Sequence, residues 1–470
     1  MLVRSGNFLA AVAVAAFSCR STNPSNQSSA VMDGPVTAAA PGVLSFIEWD
    51  VRFTNPTCET YPYAEADIVE AVNGELLSAK PKDTFCTKQK DFAHSAERPE
   101  SPQFKLLEWI NDPATKEIFF AYLSLSNQDV KNALCKASER GVKITFVMDS
   151  TQDSSLKIAL EACGPAGGDA ATHPKGILRG NNGEIGYAHN KIFLVNPAQS
   201  PMKLAFSSGN MTSGIVLHHE NWNFVTLEPK TYFAQAHLCL MNAQLNDQAV
   251  MNPTVYFQFI KGCRQKITEE LGLQEESDVK VFFTPGEGAR ARDALTAGIR
   301  KANKVYVAAH RFSYDGLINA LYEARTRPSP AEVSIVTDDD TYWVGTTGEQ
   351  VGDNLAGEYF SIKRLTQRGA KVRWMETNHG QHLLHHNKYV VMNKNDGTWG
   401  AVFGGAGNFT GTAFGTSSTG DFKPNFENFY YIEIPSVIKR YNEQFPHMWN
   451  DLATPPERMP KKNILPPGSN

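Results

Sequence analysis

Apolar runs and stretches of helical spacing alternate along this chain. Residues 117–123 (EIFFAYL) predict a buried strand. Helical spacing follows from Asn127 to Arg140, with Asn127 placed to cap the start and Gly141 to stop it. Residues 142–148 (VKITFVM) predict a second strand, ending at Asp149. The same order returns later: a strand at 304–309 (KVYVAA), a helix at 314–324, and a strand at 333–336 ending at Asp338. Strands alternating with helices predict an α/β fold with mixed or parallel sheets. The recurrence predicts an internal duplication into two similar lobes, each a mixed sheet flanked by helices.

The duplicated halves also share polar residues in one order. The first half has His189-Asn190-Lys191, an apolar run to Asn196, a small-residue turn Ser207-Ser208-Gly209-Asn210, and Glu220-Asn221. The second has His386-Asn387-Lys388, an apolar run to Asn393, the turn Gly405-Ala406-Gly407-Asn408, and Glu427-Asn428. A lone His-x-Lys is common by chance, whereas four matched elements in one order are specific.

His and Lys two residues apart on a strand share a face. Two such halves brought together make a pocket with two imidazoles and two ammonium groups, which suits a phosphate diester. Lys191 and Lys388 would neutralise the non-bridging oxygens, and the amides of Asn210 and Asn408 would donate to them. Small residues on the turns let backbone approach the phosphate. One histidine can attack phosphorus while the other protonates the leaving oxygen. Glu220 and Glu427 are the candidates to orient the rings and stabilise an imidazolium.

This pattern resembles the phospholipase D superfamily, whose signature is His-x-Lys-x4-Asp followed by Gly-Ser-x-Asn, present twice. The similarity spans residues 101–455. It implies two α/β lobes with the active site on a pseudo-twofold seam, a covalent phosphohistidine intermediate, and no metal or cofactor. It further implies His189 as nucleophile and His386 as general acid, with Lys191, Lys388, Asn210 and Asn408 on the phosphate. The chain departs from the pattern where Asn196 and Asn393 replace the aspartate and where both turns change. An Asn keeps hydrogen bonds but not charge, and the turns stay small, so activity is expected to survive.

Composition and termini complete the reading. A chain of 470 residues can hold two large units. Its net charge of −4 counts against a protein gripping long nucleic acid. Arg4, the short apolar run from Phe8 to Phe17, and the small residues before Cys19 read as an export signal, too short to span a bilayer. Two versions stay open: a lipoprotein type acylated on Cys19, and a plain signal cleaved nearby. The remaining cysteines, 58, 86, 135, 163, 239 and 263, permit three disulfides in an exported protein. Sequential pairing is the simplest of the fifteen connectivities. The expected domains are a signal at 1–19, a tether and N-terminal extension at 20–100, lobes at 101–268 and 269–455, and a tail at 456–470.

Other clusters have plainer readings. His218 and His219 beside Glu220, and the group His379, His382, His385 and His386, could suggest a metal, yet His386 already has a role. Asp338-Asp339-Asp340 resembles a carboxylate metal cluster, though such a run is more often a solvated strand end and helix cap. His310 reads as a capping or buried histidine, or a pocket-lining one. The expected activity is hydrolysis of a phospholipid to phosphatidate and head group, by an exported monomer working at a membrane surface in the periplasm, on a lipid anchor, or secreted. The rivals are an exported nuclease using the same two histidines and a pseudoenzyme that binds phosphate without cleaving it.

Overall fold

The computed structural model describes residues 42–56, 67–70, 76–79, 95–165, 172–343, 355–375, 384–415 and 423–459. Cys19, Cys58, Cys86, His379 and His382, named above, lie outside the described residues.

Two seven-stranded sheets dominate. The first contains β1 (Glu48–Thr54), β4 (Glu117–Tyr122), β5 (Lys143–Asp149), β6 (Lys175–Arg179), β7 (Lys191–Val195), β8 (Met202–Ser207) and β9 (Glu220–Leu227). Strands β2 (Asp67–Glu70) and β3 (Leu76–Ala79) pair with each other. The second sheet contains β10 (Val279–Thr284), β11 (Lys304–Ala309), β12 (Glu332–Asp338), β13 (Lys371–Met375), β14 (Lys388–Asn393), β15 (Gly400–Gly405) and β16 (Glu427–Ile432). The orders are β1-β9-β8-β7-β4-β5-β6 and β10-β16-β15-β14-β11-β12-β13, so the two sheets match strand for strand. In each, three strands run parallel and the rest join antiparallel.

The match reaches further toward the N-terminus than the motifs suggest. Strand β1 lies in the stretch read as an N-terminal extension, yet it forms the edge of the first sheet, with Val51 opposite Asn223. It occupies the place that β10 holds in the second sheet. Thus the repeated unit starts before residue 101.

Three cores explain why the strands read as continuous apolar runs. Phe120, Phe146 and Phe193 pack on the outer face of the first sheet, over the helices Pro102–Asn111 and Gln128–Glu139. Val307, Ile335 and Phe403 do the same in the second. Between the sheets lies a shared core holding Ile192, Leu204, Tyr389, Val391 and residues of the helices Tyr232–Leu245 and Pro435–His447. Phe206 and Tyr430 stack across it with ring centroids 3.7 Å apart. A strand covered on both faces has no polar side to show.

Local signals hold where they were read. Asn127 caps its helix by accepting from the N–H of Val130, and Gly141 has the positive φ that ends it. Disulfides join Cys135 to Cys163 and Cys239 to Cys263, as sequential pairing expects. No described helix is long and apolar enough to cross a membrane.

Candidate active site

The duplicated motifs meet where the two sheets face each other. His189 and His386 stand just before β7 and β14, and Lys191 and Lys388 are the first residues of those strands. Glu220 and Glu427 are the first residues of β9 and β16. Main-chain hydrogen bonds stitch the seam symmetrically. On one side the N–H of His189 donates to the carbonyl of Phe426, whose own N–H donates to Tyr187. On the other, the N–H of His386 donates to His219, whose own N–H donates to Leu384.

The carboxylates are exchanged across that seam. His189 Nδ1 lies 2.7 Å from Glu427 Oε2, and His386 Nδ1 lies 3.1 Å from Glu220 Oε1. Each histidine therefore relies on the glutamate of the opposite lobe. A carboxylate only accepts, so each ring carries its proton on Nδ1 and turns the lone pair of Nε2 toward the pocket. For His189 a second contact agrees: Lys191 Nζ donates to its Nε2 at 3.0 Å. Lys388 Nζ donates instead to the carbonyls of His386 at 2.9 Å and Ser208 at 3.1 Å.

Burial sets the charge states. It lowers the pKa of His189, against the pull of the Glu427 carboxylate. It takes Lys191 down to about 8. Burial, joined by the neighbouring Lys191, takes Lys388 well below the ordinary lysine range. His386 falls well below the usual histidine value, first through burial and then through Lys388. Two buried lysines, the charge of one disfavoured by the other, favour an anion beside them.

Asn210 and Asn408 end their turns, each with an amide oxygen buried and without a hydrogen-bond partner among the described residues. The turn glycine of the first half has a use beyond letting backbone approach phosphate. A Cβ on Gly209 would stand 1.7 Å from Glu220 Oε2, so only glycine leaves room for that carboxylate. In the second half, a Cβ on Gly407 would meet the ring of Phe429 at 2.2 Å.

Two aspartates escaped the sequence reading. Asp149 accepts from the N–H of Ala188 at 2.6 Å, and Asp338 accepts from that of His385 at 2.9 Å. Each anchors the residue preceding a site histidine. Their signal was present, since both parallel strands end in Asp. The solvated reading of Asp338-Asp339-Asp340 is corrected: all three are buried, because the strand end they cap faces the seam. His310 is also beside the site, its ring centroid 5.0 Å from that of His386. Asn196 takes over the structural duty of the expected aspartate, accepting from the N–H groups of Lys116 and Glu117 and donating to Ala114. Asn393 pairs amide to amide with Asn442.

Residues 295–449 match a family described as cardiolipin synthase, PLD-like domain. Those residues thus match a domain of the phospholipase D superfamily. Members of that superfamily act on phosphodiesters. Phosphatidylserine synthase of Haemophilus influenzae Rd KW20 shares this phospholipase D-like fold at 11% identity and a TM-score of 0.50, over 75% of this chain and 84% of that one. Polyphosphate kinase of Porphyromonas gingivalis aligns at 12% identity and a TM-score of 0.40, over 74% of this chain. The present chain spans about half that kinase's length, 49%. Nuc of Salmonella typhimurium, a phospholipase D family member, aligns at 20% identity and a TM-score of 0.27, with 96% of its length on 38% of this chain. No curated protein matches the sequence.

Proposed function

We propose that this protein hydrolyses a phospholipid diester to phosphatidate and free head group through a phosphohistidine. The exchanged pairs, His189 with Glu427 and His386 with Glu220, carry this reading. His189 Nε2 attacks phosphorus in line while Glu427 stabilises the positive charge that grows on the ring. His386, protonated when the anionic diester is bound, delivers its Nε2 proton to the departing head-group oxygen. A water then gives a proton back to His386 and attacks phosphorus from the leaving side. The P–N bond breaks, and both histidines return to their starting state. Lys191, Lys388 and the two turn asparagines hold the non-bridging oxygens throughout.

A lipid substrate is supported by the net charge of −4 and by the phospholipids that the matching family and the phosphatidylserine synthase are named for making. The two disulfides and the signal-like N-terminus fit an exported protein working as a monomer at a membrane surface. To test this, full-length protein with EDTA is offered phosphatidylcholine or phosphatidylethanolamine vesicles, and separately single-stranded DNA, with His189→Ala as control. Head-group release that vanishes in the control is expected. DNA cleavage alone would make the protein a nuclease, and no turnover of either would favour a phosphate-binding pseudoenzyme.

A further inference from the structure

The two glutamates are not held alike. In the second half, the amide of Asn425 donates to Glu427 Oε1 at 3.2 Å. The corresponding partner of Glu220 is His218, whose Nδ1 lies 3.2 Å from Glu220 Oε1. Both residues stand two positions before their glutamate. An amide is enough to hold such a carboxylate, so a histidine there adds a capacity the other half lacks.

That capacity is a third donor around one point. Glu220 Oε1 is 3.2 Å from His218 Nδ1 and 3.1 Å from His386 Nδ1, and donor atoms of all three residues lie within 4.8 Å of one another. Zinc held by nitrogen and oxygen at its usual bond lengths sets its ligands about 3.3 Å apart. Two of the three edges already have that length, and a modest turn of one ring closes the third. Two imidazoles and a carboxylate form a borderline-soft set that suits zinc over magnesium or calcium. The three residues are at most 8% exposed, so a bound ion would exchange little of its shell with water. His218 Nε2 is buried with no hydrogen-bond partner among the described residues, so none of them bonds the ring from its far side. Asp338, Asp339 and Asp340 also cluster, but they are already bonded within the fold.

We propose that His218, Glu220 and His386 bind a zinc-class cation that reversibly switches off the esterase chemistry. The inhibitory part rests on His386 being the general acid. When Nδ1 binds the ion, the ring moves its one proton to Nε2. It can no longer become an imidazolium, and Glu220 no longer supports it. The Nε2 proton that remains belongs to a neutral ring, a far weaker acid than the imidazolium that protonates the leaving oxygen. In this scheme the ion competes with the proton for the same ring.

Full-length protein stripped with EDTA and dialysed would be titrated with zinc by calorimetry, and with cobalt as a visible probe of coordination geometry. One zinc per chain is expected, with the intense ligand-field bands of four-coordinate cobalt. His218→Asn, which copies the other half, should weaken zinc by at least about 100-fold. It should keep its turnover in EDTA while losing inhibition by zinc. His386→Ala should weaken zinc similarly. Unchanged zinc affinity in His218→Asn and His386→Ala would overturn the site, whatever the substrate proves to be. Zinc bound through these residues without loss of turnover would overturn the switch. Because binding is read without substrate, failure of the diesterase assay leaves the metal result intact.

Discussion

The two half-sites share a backbone and differ in what surrounds each histidine. Around His189 the neighbours are spare: Ala188 before it, Asn425 on its glutamate, and Lys191 donating to its Nε2. Around His386 the neighbours are imidazoles: His385 before it, His218 on its glutamate, and His310 packed against its ring. Duplication made the halves alike, and the difference lies in a handful of side chains at matched positions. A pseudo-twofold scaffold presents two histidines alike in backbone, and the flanking side chains are where the two half-sites differ.

Replacing the histidines should produce the largest effect and the sharpest test. His189→Ala and His386→Ala are each expected to lose about 10⁴-fold or more in turnover of an alkyl diester. A p-nitrophenyl diester separates them, because its leaving group departs without a proton. His386→Ala should then release one equivalent of nitrophenolate in a burst and stall, while His189→Ala releases none. A burst in His189→Ala instead would reverse the assignment.

The turn glycines should separate the halves next. Gly209→Ala pushes on the Glu220 carboxylate and should cost turnover on the order of 10²-fold. Gly407→Ala pushes on the Phe429 ring and should cost about 1–3 kcal/mol of stability with turnover per folded molecule nearly kept. Urea unfolding beside steady-state kinetics reads both.

The pH dependence gives a smaller but graded signal. Attack needs neutral His189, and both histidines are pushed below 6.5. The rise of kcat/KM as His189 loses its proton should therefore lie below pH 6.5. The fall as His386 loses its proton lies there too, at about tenfold per pH unit. Above about 8, neutralisation of Lys191 should steepen the decline. With the p-nitrophenyl diester the fall belonging to His386 should disappear from the first turnover.

Smallest of all should be Asn196→Asp and Asn393→Asp. Each gives up one donated amide hydrogen bond, to Ala114 or to Asn442, and both lie at the far ends of their strands from the histidines. A stability change of about 1 kcal/mol and unaltered turnover are expected from thermal unfolding and kinetics.

Much of this site was legible in the sequence because strand geometry is local. His-Asn-Lys at the mouth of a strand and Glu-Asn at the mouth of another place their side chains by the two-residue period alone. What was hidden is relational. Nothing local says that Glu427 serves His189 rather than the histidine of its own lobe; that follows only when two lobes pack about a twofold axis. Strand β1 was hidden for the same reason. Its seven residues, EWDVRFT, alternate polar and apolar and so have a strand's pattern, but its partner β9 lies far along the chain. Asp149 and Asp338 were visible as strand ends, but their hold on Ala188 and His385 depends on how far the following loop returns.

The exchange of carboxylates also bears on how the chain matures. A lobe folded alone would hold a histidine and a lysine without the acid that orients them, and the shared core would stand open to water. Chemical competence therefore arrives only with the last docking step. A half-made or half-unfolded molecule would therefore lack a complete site.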